Sequence, residues 1–277
     1  ASLIGFTLTN GHTRAGYLAD TEIHGGGIWS ESSGMIVQCT ISSNRADSGG
    51  GAYGGIFSNC TFTLNRAANW GGGARDSTLI ACRLVANTAR NGGGARGGSL
   101  VNCLLRNNQA VGSIDCDADG GGASDASLTH CTVVGNYSQD WGGGIFACTA
   151  VNSIIYGNQG TWGDASASSL SRCCLGAGNH SSGDFFWASP RFVGSTSDDY
   201  RLQFDSPCVD AGMTLPDVLT DIDGGTRPQD GNMDGEAAHD IGAFELNSVV
   251  RYVSLTGGNV PPYTNWATAA TSIQDAV

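Results

Sequence analysis

Glycine triplets begin at Gly25, Gly49, Gly71, Gly92, Gly120 and Gly142, spaced by 24, 22, 21, 28 and 22 residues. A period of this size marks a repeat architecture, whose units are too small to bury a core alone and stack on one another. From Gly49 onward the residue eleven places after each triplet start is Cys60, Cys82, Cys103, Cys131 and then Ser153, and Cys39 holds the same place after a longer approach. Three residues before that column stand Ile36, Phe57, Leu79, Leu100, Leu128 and Ala150; two residues after it stand Ile41, Phe62, Leu84, Leu105, Val133 and Ile155. Five residues after it stands asparagine every time: Asn44, Asn65, Asn87, Asn108, Asn136 and Asn158.

The step of two from cysteine to the next apolar residue predicts a strand with alternate side chains inward. A rung of this length is too short for a pair of helices with two turns, and a leucine-rich consensus is absent. The spacing therefore predicts an all-β parallel β-helix of about eight rungs, 21–28 residues each, rising roughly 4.8 Å per rung for about 35–40 Å. The register reaches back to Leu3, Phe6 and Leu8, with Asn10 one place early, and forward to Leu170, Cys173 and Leu175. Like residues then lie over like residues. Glycine admits a left-handed corner and close backbone approach, the asparagine amides can bond to those above and below, and the apolar columns fill the bore.

Net charge is −12, and all 13 basic residues are arginines. A lysine-free acidic chain is a poor partner for nucleic acid or an anionic membrane, and lysine nucleophiles are excluded. No run of 18 apolar residues is present to span a membrane. Of the ten cysteines, Cys39, Cys60, Cys82, Cys103, Cys131 and Cys173 belong to the inward column. There a cysteine acts as a small buried hydrophobe, and parallel stacking suits a disulfide poorly. Cys116, Cys148, Cys174 and Cys208 lie outside it, with Cys174–Cys208 the one plausible disulfide.

Beside the glycines runs a further column: Trp29, Tyr53, Arg75, Arg96, Ser124 and Phe146. These are either ordinary outward strand positions or a face that stacks on sugar rings. No acid pair accompanies them at a fixed place, so no catalytic residue is assigned. Asp115, Asp117 and Asp119 fall in the long rung and read as a solvated acidic loop or a weak cation site. Further on, Asp230, Asn232, Asp234 and Glu236 match the first half of a calcium loop, but Ile241 stands where its bidentate glutamate belongs. Calcium and a hydrogen-bonded Asx-turn cluster are the two readings; no other cofactor is required.

Residues 1–183, with GGG and N-C-x-[IL]-x-x-N rungs, resemble the pectate-lyase-like right-handed β-helix superfamily, especially large bacterial surface proteins. The segments Ser206-Pro-Cys-Val-Asp210-Ala-Gly212, Asp221-Ile-Asp-Gly-Gly-Thr-Arg227-Pro228 and Asp240-Ile-Gly-Ala-Phe-Glu245 resemble the choice-of-anchor Q C-terminal region. That resemblance implies a cap over 184–247 that closes the helix. The polygalacturonase-type relatives use paired aspartates with Gly-His and Arg-x-Lys elements; here Gly11-His12 stands alone. Residues 248–277 resemble the beginning of another β-helix, with Tyr252, Val253, Leu255, Trp266 and Ile273 as its apolar positions. They are expected either to dock on an adjacent unit or to fold back on their own chain. The superfamily holds lyases, hydrolases, adhesins and passive stalks, and the leading expectation here is a non-enzymatic extracellular or bacterial cell-surface protein, a stalk, adhesin or filament subunit whose β-helices join head to tail with copies of itself or adjacent repeats. The alternative is a polysaccharide-binding module, or a lyase or hydrolase, using the aromatic and arginine face.

Overall fold

The computed structural model describes residues 1–13, 23–112, 118–176 and 178–247, with Val253, Ser254, Thr256, Gly258, Asn259, Thr271 and Ser272 beyond them. A representative rung has four short strands: Ala52–Tyr53, Ile56–Ser58, Thr61–Thr63 and Arg66–Trp70. The first is followed by two left-handed residues, Gly54 and Gly55, at φ of 68° and 77°, and the others by one each, Asn59, Leu64 and Gly71, at 53°, 57° and 63°. A single such residue turns the chain sharply, and after the second and third corners the next side chain, Cys60 or Asn65, is buried. Every strand pairs in parallel with its counterparts in adjacent rungs, so the apolar columns stack in register, Ile41 on Phe62 on Leu84 on Leu105 on Val133 on Ile155 on Leu175. The predicted right-handed parallel β-helix is the fold observed.

Counting along the other column, Leu3, Ile36, Phe57, Leu79, Leu100, Leu128, Ala150, Leu170 and Gly183 lie one over another. The stack thus holds one rung more than expected. Its last strand, Asn179–Trp187, carries the helix past residue 183, and a glycine at the bore position hid it. Asn10 is likewise not a ladder residue. It occupies the left-handed corner at φ 58°, and Gly11 takes the ladder place, donating its N–H to Asn44 Oδ1 at 2.7 Å.

The asparagine ladder is continuous and buried. From Asn65 onward each Oδ1 accepts two bonds from the rung before, as Asn108 Oδ1 does from Asn87 N and Nδ2, both at 3.0 Å. Asp164 ends the ladder, its Oδ1 accepting Asn158 N at 2.7 Å and Nδ2 at 2.8 Å. Burial raises that carboxyl to about 6. The cysteine column works similarly, and so is more than apolar filling. Cys39 N–H points at Cys60 Sγ at 3.4 Å, and that thiol points at Ile36 O at 3.5 Å; Ser153 makes the equivalent bond to Cys131 N at 3.1 Å. Cys148 belongs to a second column of this kind, its N–H donating to Ser168 Oγ at 3.1 Å. Burial pushes the Cys148 and Cys173 thiols up to about 12, which keeps them protonated and unreactive. All nine described cysteines are free.

The expected end cap is instead a strap along the flank. After Trp187 the chain forms the antiparallel pair Phe192–Gly194 and Asp199–Leu202 and then crosses the outer face of earlier rungs. It leaves Gly183 and Trp187 exposed at the last rung. Much of the face it covers is uncharged, with Leu104, Thr132, Val134, Ile154 and Cys174 all buried, while Arg83 and Arg106 in the same columns pair with Asp223 and Asp198 of the strap. Cys174 therefore points outward beneath the strap. The adjoining Cys174 thiol first, then burial, pushes the Cys208 thiol up, and the two stand side by side as free thiols rather than the expected disulfide.

Polar contacts fix the strap to the left-handed residues that precede the cysteine column. Asn102 Nδ2 donates to Thr220 O at 2.6 Å, and Asn152 exchanges two 2.8 Å bonds with the Met213 backbone. Between them His130, also left-handed at φ 49°, meets Arg227 Nη1 at Nδ1 and His239 Nδ1 at 3.2 Å from Nε2. Burial first, then the Arg227 charge, lowers His130 to about 2. Burial raises nearby Asp240 to about 7.

These two groups oppose one another in pH dependence. An unfolded histidine takes up its proton near 6.5, so stability associated with His130 is lost as pH falls below that value. Folded Asp240 holds its proton up to about 7, so acidification through that range favours the fold. In His130→Asn, which retains a residue type present at the same corner in Asn102 and Asn152, only the second effect remains. The stability difference between variant and wild type should change by about 1.4 kcal/mol per pH unit between about pH 6 and 4, in the variant's favour as pH falls. Urea midpoints across that range measure it; parallel pH profiles would refute the assignment.

Candidate functional site

The column beside the glycine triplets is real: Trp29, Tyr53, Arg75, Arg96, Ser124 and Phe146 are successive neighbours on parallel strands. Trp29 is 46% exposed, the next three are half-buried, and Ser124 is buried. On the other side of the triplets runs a column the sequence reading missed, the residue before each triplet, with His24 next to Ser48, Trp70 next to both Ser48 and Asn91, and Asp119 beneath Trp141. The triplets between them carry no side chains, and none would fit. A Cβ on Gly50 would lie 2.4 Å from Arg66 C and 2.5 Å from Gly72 O, in the next rung. Two columns of side chains thus flank the triplets, whose glycines are buried from Gly49 onward.

At the first rungs the walls enclose a cleft of about 430 Å³ lined by Ile23, His24, Trp29, Asp47, Tyr53, Trp70 and Arg75. The His24 and Tyr53 rings stack at 4.8 Å. Arg75 Cζ lies 4.5 Å from the Trp70 centroid and 5.4 Å from that of Tyr53, and Arg96 Cζ lies 4.9 Å from Trp70. These cation–π contacts hold both guanidinium planes against Trp70. Further along the same line Trp141 stacks on Trp162 at 5.1 Å and meets Phe146 at 5.8 Å. Of the expected aromatic and arginine face, the structure therefore gathers Trp29, Tyr53, Arg75 and Arg96 around Trp70. Phe146 belongs to a second aromatic group at the other end of the line.

The carboxylates beside the cleft are engaged. Asp47 accepts Asn69 Nδ2 at 2.9 Å and Ser48 Oγ at 3.2 Å, Asp76 pairs with Arg75 at 3.2 Å and Asp125 with Arg96 at 3.0 Å. Chemically the arrangement offers flat apolar ring faces beside fixed N–H donors, the mixture that orients a ligand having both a ring and polar substituents. Asp119 is buried rather than solvated, its Oδ1 accepting Trp141 N at 3.2 Å; Asp115, Cys116 and Asp117 lie outside the described residues.

In the half-loop, Asp230 accepts Asp234 N at 3.1 Å and Gly235 N at 3.0 Å, Asn232 Oδ1 accepts Asp234 N at 2.8 Å, and Asp234 Oδ1 accepts Glu236 N at 2.9 Å. These backbone N–H bonds form the Asx-turn arrangement. Of the tail positions only Val253 is described, and it is exposed; Tyr252, Leu255, Trp266 and Ile273 lie outside the described residues.

No family model matches the sequence, and no curated protein does. The resemblance of the C-terminal segments to the choice-of-anchor Q region rests on the quoted residues alone. Among solved structures the chain is similar to the crystal structure of pectate lyase Pel9A, with a TM-score of 0.50 and 14% identity over 87% of this chain and 70% of that one. That likeness is one of fold.

Proposed function

We propose that this chain is a glycan-binding β-helix of a secreted or cell-surface protein, holding an extended saccharide along the cleft between the two side-chain columns. The supporting observation is the cleft itself, with Trp29 as an exposed ring platform and Arg75 and Arg96, held against Trp70, as oriented donors. Binding without cleavage is the reading favoured by the engaged carboxylates, since Asp76 and Asp125 already neutralise the two arginines. Affinity electrophoresis against a panel of neutral and acidic polysaccharides tests it. At least one should retard the protein, and Trp29→Ala, which removes an exposed side chain without opening the bore, should weaken that binding roughly tenfold or more if a ring contact of about 1.5 kcal/mol is lost. No retardation by any member, or unchanged retardation of Trp29→Ala, would refute it.

A second reading, a structural unit stacked end to end on a neighbouring β-helix, is favoured by the last rung. There the strap does not cover Gly183 or Trp187. A purely structural unit leaves the polysaccharide panel blank.

A further inference from the structure

Arginine carries all of this chain's basic charge apart from histidine, and the described arginines are almost all engaged. Eight form ion pairs, Arg90 has a partner, and Arg14 and Arg251 lie outside the described residues. Arg45 and Arg66 remain. They have no carboxylate partner among the described residues, both are exposed, and they are direct neighbours on the parallel strands Arg45–Ser48 and Arg66–Trp70. Like charges placed directly opposite on adjacent strands repel. In a chain of net charge −12, leaving these two cations stacked and unneutralised points to an anion from outside.

The column around them is built of groups that bond to hydroxyls. Below Arg66 follow Thr88, Gln109 and Tyr137, one per rung and in register, and His12 precedes Arg45. Arg45, Arg66, Thr88 and Gln109, with Val111 beyond them, line a concavity of about 490 Å³ over the small floor residues Ala67 and Ala89. This sheet face is separate from the cleft beside the glycine triplets.

The geometry points to a sulfated glycan on this face, with one sulfate ester held between Arg45 and Arg66. Two guanidinium forks carried on adjacent strands, whose backbones lie about 4.8 Å apart, are poorly served by a planar carboxylate, whose two oxygens are used by one fork. The three terminal oxygens of a tetrahedral ester can serve both. Thr88 and Gln109 then meet the sugar's hydroxyls, and Tyr137, 42% exposed, offers a ring one rung further on. A phosphate ester shares the tetrahedral shape, but an acyclic phosphate polymer would not use the ring and hydroxyl groups of the lower rungs.

Calorimetric titration of the intact chain with a sulfated hexasaccharide, a uronate oligomer of equal charge and linear polyphosphate decides the matter. The sulfated sugar should bind, and Arg45→Gln and Arg66→Gln should each weaken it roughly tenfold or more, the scale of one lost charged hydrogen bond. Arg201→Gln, an exposed arginine already paired with Asp199, should leave it unchanged. Equal binding of the uronate or polyphosphate, or equal loss in Arg201→Gln, would overturn the inference. So would undiminished binding in Arg66→Gln, or no binding by the wild type. Loss in Trp29→Ala alone would assign the ligand to the cleft instead.

Discussion

Replacing Arg227 with methionine should destabilise the strap by about 3–5 kcal/mol, the usual cost of removing one partner from a buried ion pair. The Arg227 side chain is 0% exposed and that of Glu245 is 1% exposed. Arg227 Nε lies 3.0 Å from Glu245 Oε2 as a charge contact, although its N–H is not aligned as a hydrogen bond. Nη2 donates to Gly242 O at 3.1 Å, and Nη1 meets His130. Methionine fills much of the volume but leaves Glu245 without its counter-charge beside Asp240, which already raises the energy of that cluster. The bore columns do not pass through Arg227, so loss should begin in the strap. Limited proteolysis should cut between residues 188 and 247 while the rungs persist. Adding Glu245→Gln to Arg227→Met should recover part of the loss, because a buried amide costs less than an unpaired carboxylate. A urea midpoint for Arg227→Met within 1 kcal/mol of wild type would show that the pair does not fasten the strap.

The strap also shows where sequence reading stops. The bore was legible because stacking forces like residues into like positions, so Phe57, Leu79 and Leu100 repeat at a readable spacing. The left-handed corners were not, because Gln38, Leu64, Ala81 and Arg172 hold them as readily as asparagine does, the ladders on either side fixing the backbone there. The ninth rung was hidden by Gly183. A covered flank was written in the outward positions Leu104, Val134, Ile154 and Cys174, whose apolar run is at odds with a solvent-facing strand. Asp221, Arg227, Asp240 and Glu245 stood out as motif residues. Their pairing across 15 to 25 residues, and their contact with His130 far earlier in the chain, is a property of the folded path. The candidate cleft was half legible. The Trp29 column follows the triplets at a constant offset, whereas the opposite wall mixes His24, Ser48, Trp70, Asn91 and Asp119 and becomes a column only when the glycine corner brings it round.

Asn108→Ala should be among the most damaging single changes within the rungs, at about 3 kcal/mol or more. Asn108 is fully buried. Truncation removes the Oδ1 that accepts Asn87 N and Asn87 Nδ2, both at 3.0 Å, and the Nδ2 that donates to Leu84 O and Asn136 Oδ1, both at 2.9 Å. Two donors are stranded in a buried site. An unsatisfied buried group costs about 1–3 kcal/mol, and here the losses fall on one small volume. Asn108→Asp separates the two halves of the argument. A carboxylate can still accept both bonds from Asn87, as Asp164 does from Asn158 at the ladder's end, but it cannot donate, and its second oxygen faces Asn136 Oδ1. Burial should raise that carboxyl as it raises Asp164 to about 6. A raised folded value means the folded chain keeps its proton after the unfolded chain has lost one. The cost of Asn108→Asp should therefore be smallest near pH 4, grow as pH rises, and level off above the folded value. Asn108→Ala should show no such slope. Denaturation midpoints of the two variants at pH 4 and pH 8 make the comparison. If Asn108→Ala shifts the midpoint by less than the equivalent of 1 kcal/mol, the amide ladder fills space without holding the rungs.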